Sequence, residues 1–430
     1  MDKRRAIELQ KRYLVPAIGT YYEEPLVVSH GQGHYLYDIE GREYLDFFGG
    51  ILTVSIGHAD PRINARIHDQ VDRVVHTSTL YVNLPQVELA ERLAKLVPGG
   101  LSQWFFTNSG TEANETAVTF ARAHTGRDEV IALRHSYSGR STLAMALTGQ
   151  SVWRLPGSNQ PAIRHAHNPY CYRCALGQKY PACDLLCARD IEEVIRTSTS
   201  GRIAAFIAEP IQGVGGFITP PPGYFQTAVE IIRRYGGLFI CDEVQTGWGR
   251  TGGKMFGIEQ WDVVPDLMTF AKGLANGLPI GATVTTEEIG ASLRGLTIST
   301  FGGNPLTMAA ASAVLDVIVD EGLPAKAVVT GGHLRAGLEA LAQRFPVIGD
   351  VRGMGLMQGV ELVRDRKTKE PAPEVVARLF EETRRRGLLI GKGGMYGNVL
   401  RITPMLDVQI GEIDTALRIL TEAFEALPSS

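Results

Sequence analysis

Between residues 100 and 275, short apolar runs alternate with amphipathic stretches, and this alternation narrows the possible folds more than any other feature. The runs are Trp104-Phe105-Phe106, Val130-Ile131-Ala132-Leu133, Ile203-Ala204-Ala205-Phe206-Ile207-Ala208, Gly237-Leu238-Phe239-Ile240-Cys241 and Leu267-Met268-Thr269-Phe270-Ala271. Their hydrophobicity is nearly continuous rather than alternating, and Gly, Asp or Asn bounds them. Strands covered on both faces have that texture. Glu112 to His124 and Gly223 to Tyr235 read as helices between them. Strand and helix in alternation predict an α/β layered domain with a mostly parallel sheet. Binding groups should then gather at the carboxyl ends of the strands.

The flanks read differently. Residues 31–38 and 41–47 are expected as short strands joined by a turn at Glu40-Gly41. Met308 to Val319 is a long Ala- and Val-rich helix, and after Gly322-Leu323-Pro324 the pattern resumes as a smaller unit. At 430 residues there is room for two domains. The expected division is a large domain over 61–324, with a cysteine-rich insertion at 168–188, and a small C-terminal α/β domain over 325–430. Residues 1–60 form an N-terminal segment packing with the small domain.

Charge excludes some partners. Lys plus Arg total 43 against 46 Asp plus Glu, a net charge of -3, so nothing marks a nucleic-acid or anionic-membrane surface. The basic cluster Arg384-Arg385-Arg386 precedes Gly387 and suits the solvated end of a helix that begins near Pro373. No window approaches the roughly 18 apolar residues of a membrane helix. MDKRRAIELQKRYLVP carries no apolar segment of the secretory kind. A cytoplasmic protein is expected.

Three chemical features fall at ends of the expected strands. In Thr107-Asn108-Ser109-Gly110-Thr111-Glu112-Ala113-Asn114-Glu115 a strand stops, small residues turn the chain, and a helix starts. Free N–H groups there, with the Ser109 and Thr111 hydroxyls, suit a phosphate; a plain N-cap suits the same residues. Asp242 ends an apolar run, so its carboxylate needs a partner, either a protonated heterocyclic nitrogen or a neighbouring arginine. Lys272 closes the Leu267–Ala271 run, where burial would lower its pKa toward that of a nucleophilic amine; a lysine snorkelling to water is the other reading. Together they match a phosphorylated pyridine aldehyde, which needs a phosphate site, an acid on the ring nitrogen and an amine for a Schiff base.

On these motifs, with Asp242-Glu243-Val244-Gln245-Thr246-Gly247, Lys272-Gly273 and Thr300-Phe301-Gly302-Gly303-Asn304-Pro305, the chain resembles the class III (ω-type) aminotransferases, pyridoxal 5'-phosphate enzymes of fold type I. Overall resemblance leans toward the alanine–glyoxylate or β-amino acid–pyruvate type. The resemblance implies that Ser109, Gly110 and Thr111 hold the phosphate, Tyr137 stacks on the ring, and Asp242 pairs with the ring nitrogen. Gln245 or Val244 lies near the ring hydroxyl, and Lys272 carries the cofactor. Thr300 would reach the phosphate of a neighbouring subunit, which implies a homodimer with shared active sites, with a tetramer left open.

By the same resemblance Arg401 grips the substrate carboxylate, and Glu209 parks that arginine when an ω-amine or β-amino acid is bound. A surface ion pair is the other reading of both. The chain departs from the family at Ser138, where many members carry His, and at Met405-Leu406, where the family continues differently. The activity implied is ping-pong transfer of an amino group from a small-molecule donor to pyruvate, glyoxylate or 2-oxoglutarate. A 4-aminobutyrate–2-oxoglutarate enzyme, or decarboxylase, racemase or aminomutase chemistry, is the alternative.

Four of five cysteines form Cys171-x2-Cys174-x8-Cys183-x3-Cys187. Such crowding in a cytosolic chain suggests a structural zinc, with an iron–sulfur cluster or ordinary thiols as alternatives. Gly249-Arg250-Thr251-Gly252-Gly253-Lys254 invites a P-loop reading, but Met255 stands where Ser or Thr should be and Trp248 where the first Gly belongs. A catalytically silent dimeric scaffold is a third reading, against which Lys272 and Asp242 both weigh.

Overall fold

The computed structural model describes residues 1–428. Its central sheet holds β1 (Gln103–Thr107), β2 (Glu129–Leu133), β3 (Ile163–Ala166), β4 (Ile203–Ala208), β5 (Leu238–Asp242), β6 (Leu267–Phe270) and β7 (Gly281–Thr285). Their spatial order is β1-β7-β6-β5-β4-β2-β3. The run from β3 through β2, β4 and β5 to β6 is parallel, and β7 is antiparallel to both β6 and β1.

Alternate residues along these strands feed two separate cores. Ile131, Leu133, Phe206, Phe239, Cys241, Met268 and Phe270 lie on one face, in the core that also takes in helices Leu186–Ser198 and Tyr224–Arg234 and, around Phe270, Trp248 and Phe256. Val130, Ala132, Ala205, Ile207, Ile240 and Leu267 pack on the other with Ala117, Val118 and Ala121 of helix Gly110–Thr125. Period-2 geometry with apolar cover on both sides is why the sequence shows continuous hydrophobic runs.

All five expected runs are strands, and the sheet has two more. β3 reads Ile-Arg-His-Ala and sits at the sheet edge, where Arg164 and His165 are only half-buried. β7 reads Gly-Ala-Thr-Val-Thr and is fully buried. Its hydroxyls are satisfied internally, Thr283 donating to the Ala113 carbonyl at 2.8 Å and Thr285 to the Asp266 carbonyl at 3.0 Å. Neither strand carries the apolar signature that reveals the others.

Two four-stranded sheets complete the fold. In one, Val28–Gln32, Tyr35–Asp38 and Glu43–Asp46 pair antiparallel, and Leu388–Leu389 adds parallel to the last. The strand expected over 31–38 breaks at Gly33, whose φ of +54° makes a turn that most side chains avoid. In the other sheet the order is Ile348–Met354, Met357–Leu362, Val399–Ile402, Gly391–Gly393. Among the described residues no helix is long and apolar enough to cross a membrane.

His34 ties the N-terminal sheet to the C-terminal helix Ile410–Glu425. Its Nδ1 lies 2.7 Å from Glu412 and its Nε2 3.0 Å from Asp407. Burial alone would lower the imidazole pKa, but the two carboxylates win and raise it to about 9. A folded pKa above the unfolded value of about 6.5 stabilises fully below that pH and loses its contribution as pH rises through about 9. His34→Gln should therefore cost about 1–2 kcal/mol in urea unfolding at pH 6. The gap to the parent protein should close by pH 10; a gap independent of pH would show that the pairing is not charge-assisted.

Candidate active site

The carboxyl ends of β1, β5 and β6 converge on one cleft. After β1 the chain turns through Asn108-Ser109 into helix Gly110–Thr125, whose start is capped reciprocally. Ser109 Oγ accepts from the Glu112 N–H at 3.2 Å, and the Glu112 carboxylate accepts from the Asn108 N–H at 2.5 Å. The N-cap read from the sequence is thus real, and it leaves first-turn N–H groups facing the cleft. Thr111 Oγ1 accepts from the Arg140 N–H at 3.2 Å. A Cβ at Gly139 would lie 2.4 Å from that hydroxyl, so only glycine lets the 137–139 segment close on the cradle. Gly281 plays the same part for β7, since a Cβ there would meet the Ser109 carbonyl at 2.2 Å.

Asp242, at the end of β5, is 4% exposed and held by two donors. Asn114 Nδ2 donates to Oδ2 at 2.8 Å and the Val244 N–H to Oδ1 at 3.1 Å. Burial raises the carboxyl pKa, while these hydrogen bonds and the Lys272 charge pull against it. Asn114 is itself fixed on every side, donating to the Ser138 carbonyl at 2.9 Å and accepting from Thr269 Oγ1 at 2.7 Å. Its orienting role was not legible in the sequence. The available signal is a polar residue one turn into a helix whose neighbours Ala113 and Ala117 are core.

Lys272 follows β6 and opens the 3-10 turn Lys272–Ala275 with φ +43°, a left-handed conformation that costs a non-glycine residue about 1–3 kcal/mol. It lines the cleft and keeps partial exposure through the mouth. Desolvation lowers its pKa to about 8, against the raising effect of Asp242 and Glu209.

The remaining candidates surround this pair. Tyr137 lines the cleft, with the Trp153 ring edge-on at 5.5 Å between centroids. Glu209 is buried, accepting from the Tyr137 N–H at 3.0 Å and the Gly213 N–H at 2.7 Å; desolvation and the nearby Asp242 charge raise its pKa. Arg401 is 3% exposed and donates through Nη2 to Gln245 Oε1 at 3.3 Å. Its Nε meets no partner, and Phe48 and Phe217 each lie with ring centroid 5.0 Å from its Cζ. Glu209 and Arg401 do not form an ion pair here. A buried guanidinium partnered only by an amide is a poised anion site.

Ser109, Gly110, Thr111, Tyr137, Glu209, Asp242, Val244, Gln245 and Lys272 line a single cavity of about 320 Å³, and Arg401 stands behind Gln245. Thr300 is not in it. It is exposed and borders a separate hollow with Glu112, Glu115 and Phe301. The helix-start N–H groups, the buried carboxylate and the unpaired amine suit a phosphorylated heteroaromatic aldehyde with a protonated ring nitrogen.

The zinc expectation is corrected, and the P-loop reading stays rejected. Cys171, Cys174, Cys183 and Cys187 line one small cavity of about 20 Å³, yet among the described residues no group of side chains is placed to hold a metal. Cys171 is fixed in the turn Cys171–Arg173 and Cys187 in the first turn of helix Leu186–Ser198, and all are free thiols. The zinc expected from the spacing is therefore not supported. The Gly249–Lys254 segment leads into the short 3-10 turn Gly257–Trp261, not into an α-helix. Arg250 within it is buried and donates to the carbonyls of Leu356, at 3.3 Å, and Pro404.

The model of the aminotransferase class-III family matches residues 19–424. Alanine–glyoxylate aminotransferase 2 homolog 2, mitochondrial, of Arabidopsis thaliana is 44% identical over 92% of this chain and 82% of its own length. The human alanine–glyoxylate aminotransferase 2, mitochondrial, is 39% identical over 97% of this chain and 86% of its own. A thermostable (S)-enantioselective ω-transaminase from Thermomicrobium roseum superposes with a TM-score of 0.91 at 34% identity, covering 99% of this chain and 98% of that one.

Removing Asn114 would leave Asp242 Oδ2 and the Ser138 carbonyl without this donor, and Thr269 Oγ1 without its acceptor. Asn114→Ala should cost about 2–3 kcal/mol in urea unfolding, and Asn114→Asp more, since it sets two carboxylates together. Stability equal to the parent in both variants would refute the network.

Proposed function

The chain belongs to the class III aminotransferases, and from that premise we propose which of its residues bind, hold and move what. Enzymes of this family use pyridoxal 5'-phosphate to move an amino group from a small-molecule donor to a keto acid. The observation that carries the assignment of roles is the placement of Asp242 and Lys272 at the ends of neighbouring strands, in one cavity with the start of helix Gly110–Thr125.

When bound, pyridoxal phosphate supplies an aldehyde that condenses with amines and a ring that accepts the electron pair left by a departing α-proton. The N–H groups of Gly110 and Thr111 and the Thr111 hydroxyl bind the phosphate; Ser109 shapes that cradle as the cap. Tyr137 covers a face of the ring. Asp242, aimed by Asn114, holds the proton on the ring nitrogen. Gln245 and Val244 border the ring hydroxyl.

Lys272 would hold the cofactor, and its Nζ, when free, would move the α-proton. With a pKa near 8 a useful fraction of this amine is uncharged at neutral pH, so it both attacks and carries protons. Arg401 binds the substrate carboxylate in place of its contact with Gln245. Glu209, already close enough to influence the Arg401 charge, competes for it when the substrate end has no carboxylate.

Alanine or a β-amino acid as donor, with glyoxylate or pyruvate as acceptor, is the substrate reading favoured by the likeness to the alanine–glyoxylate enzymes. 2-Oxoglutarate is the competing acceptor. A donor and acceptor panel followed at the cofactor absorbance decides between them.

Lys272→Ala should lower turnover by at least about 1000-fold. Borohydride should fix cofactor mass on the Lys272 peptide of the parent and not of the variant. Normal turnover in Lys272→Ala, or no mass on that peptide, would reverse the assignment.

A second copy completes the site in this reading. Leu80, Tyr81 and Val82 leave apolar side chains 71–85% exposed, and Leu296, Ile298 and Phe301 are also open. His76 and Phe301, 5.1 Å apart, join the two stretches into one surface. A homodimer covering it would bring Thr300 of each copy toward the other's phosphate cradle. Sedimentation across a dilution series should show a dimer whose activity falls on dissociation; a fully active monomer would remove the partner's Thr300 from the mechanism.

A further inference from the structure

Arg352 lies in strand Ile348–Met354, well buried, and none of the roles above uses it. Its charge is already satisfied, since Nη1 meets Glu361 Oε2 at 2.6 Å and Asp350 Oδ2 at 2.8 Å. Its Nε does something else. It donates at 2.8 Å to the carbonyl of Gly216, a residue 136 positions earlier in the chain.

Gly216 belongs to a short loop closed by the antiparallel bridge between Gln212 and Ile218. Just before it, the Gly213 N–H holds Glu209. Just after it, Phe217 adopts φ +56°, a left-handed conformation that a bulky residue keeps only where its surroundings enforce it. The Phe217 ring is one of the two that lie 5.0 Å from the Arg401 guanidinium. This loop therefore holds, through Gly213, the carboxylate that competes for Arg401 and itself carries an aromatic wall of the Arg401 pocket, and Arg352 pins it from the C-terminal sheet.

We propose that Arg352 is a positioning residue for carboxylate recognition: by fixing the Gly216 carbonyl it holds Phe217 and Glu209 in the places that orient Arg401. The proposal rests on the reading of Arg401 as the carboxylate site. The guanidinium suits the task because Nη1 meets Glu361 and Asp350 while Nε, held in the same rigid plane, reaches the carbonyl. An ammonium cannot keep both directions at once. Glu361 also receives Tyr170 and Arg173, so Arg352 is held rigidly from behind.

The test compares Arg352→Lys with the parent holoenzyme and with Arg401→Lys. Arg352→Lys should raise KM for alanine and pyruvate by about tenfold, while kcat changes by less than about threefold. The half-reaction with a carboxylate-free primary amine should change less than the half-reaction with alanine. Calorimetric binding of propionate, which cannot react, should weaken in parallel. Phe217→Leu, which keeps an apolar side chain at the same place, should give the same split if Arg352→Lys fails to fold. A carboxylate KM that responds to Arg401→Lys but not to Arg352→Lys or Phe217→Leu overturns the positioning role alone. A response to none of them overturns the carboxylate reading with it, and an equal loss on amine and amino acid overturns the positioning role in favour of a general structural one.

Discussion

A carboxylate taken out of water must be given donors, and the way Asp242 obtains them organises the site. Its main donor is Asn114, on a helix that starts from β1, and Asn114 is oriented by Thr269 of β6. One side-chain amide thus fastens three elements at the depth where the cofactor ring would lie. The Thr269 hydroxyl accepts no freedom in this chain: it donates to the Asn114 carbonyl oxygen, which forces the Asn114 NH2 toward Asp242 and Ser138. The acid is aimed by hydrogen-bond direction rather than by packing alone.

The same fastening explains the awkward position of Lys272. It comes three residues after Thr269, just past the end of β6, and the backbone turns there into a left-handed conformation. That turn swings the side chain out of the sheet and over the cleft. Burial then depresses its pKa while Asp242 limits the fall. The amine and the acid tune each other because β5 and β6 are adjacent and parallel, so their carboxyl ends lie side by side.

Much of this was legible in the sequence, for a physical reason. Strands buried on both faces must be apolar throughout, so β2, β4 and β5 announce themselves, and a charge at the end of such a run stands out. Asp242 and Lys272 are therefore visible in the sequence itself. β3 was not, because an edge strand tolerates Arg164 and His165, nor was β7, because threonine can be buried when carbonyls lie within reach. The cysteines misled for a related reason. Spacing reports which residues can meet, and these four do meet around one small cavity, but it does not report how the turn Cys171–Arg173 and helix Leu186–Ser198 aim their thiols.

The carboxylate end of the cleft was the least legible, because it is assembled from segments far apart in the chain. Arg401 pairs across its sheet with Gly359 on one side and Gly391 on the other, so no directly opposed Cβ crowds it. A Cβ at Gly393 would lie 2.7 Å from Arg401 Cδ. In the sequence these glycines look like ordinary turn residues. In the fold they are the room in which a long cationic side chain lies flat, walled by Phe48 from the N-terminal region and Phe217 from the loop after β4. On the proposed roles, the phosphate, ring and amine positions come from the carboxyl ends of β1, β5 and β6 of one sheet and are fixed by that sheet. On the role proposed for Arg401, the carboxylate position depends instead on how the C-terminal sheet meets the 212–218 loop, a joint that Arg352 spans. On those proposed roles, substrate choice is tuned at that joint, while the cofactor chemistry is set by the central sheet.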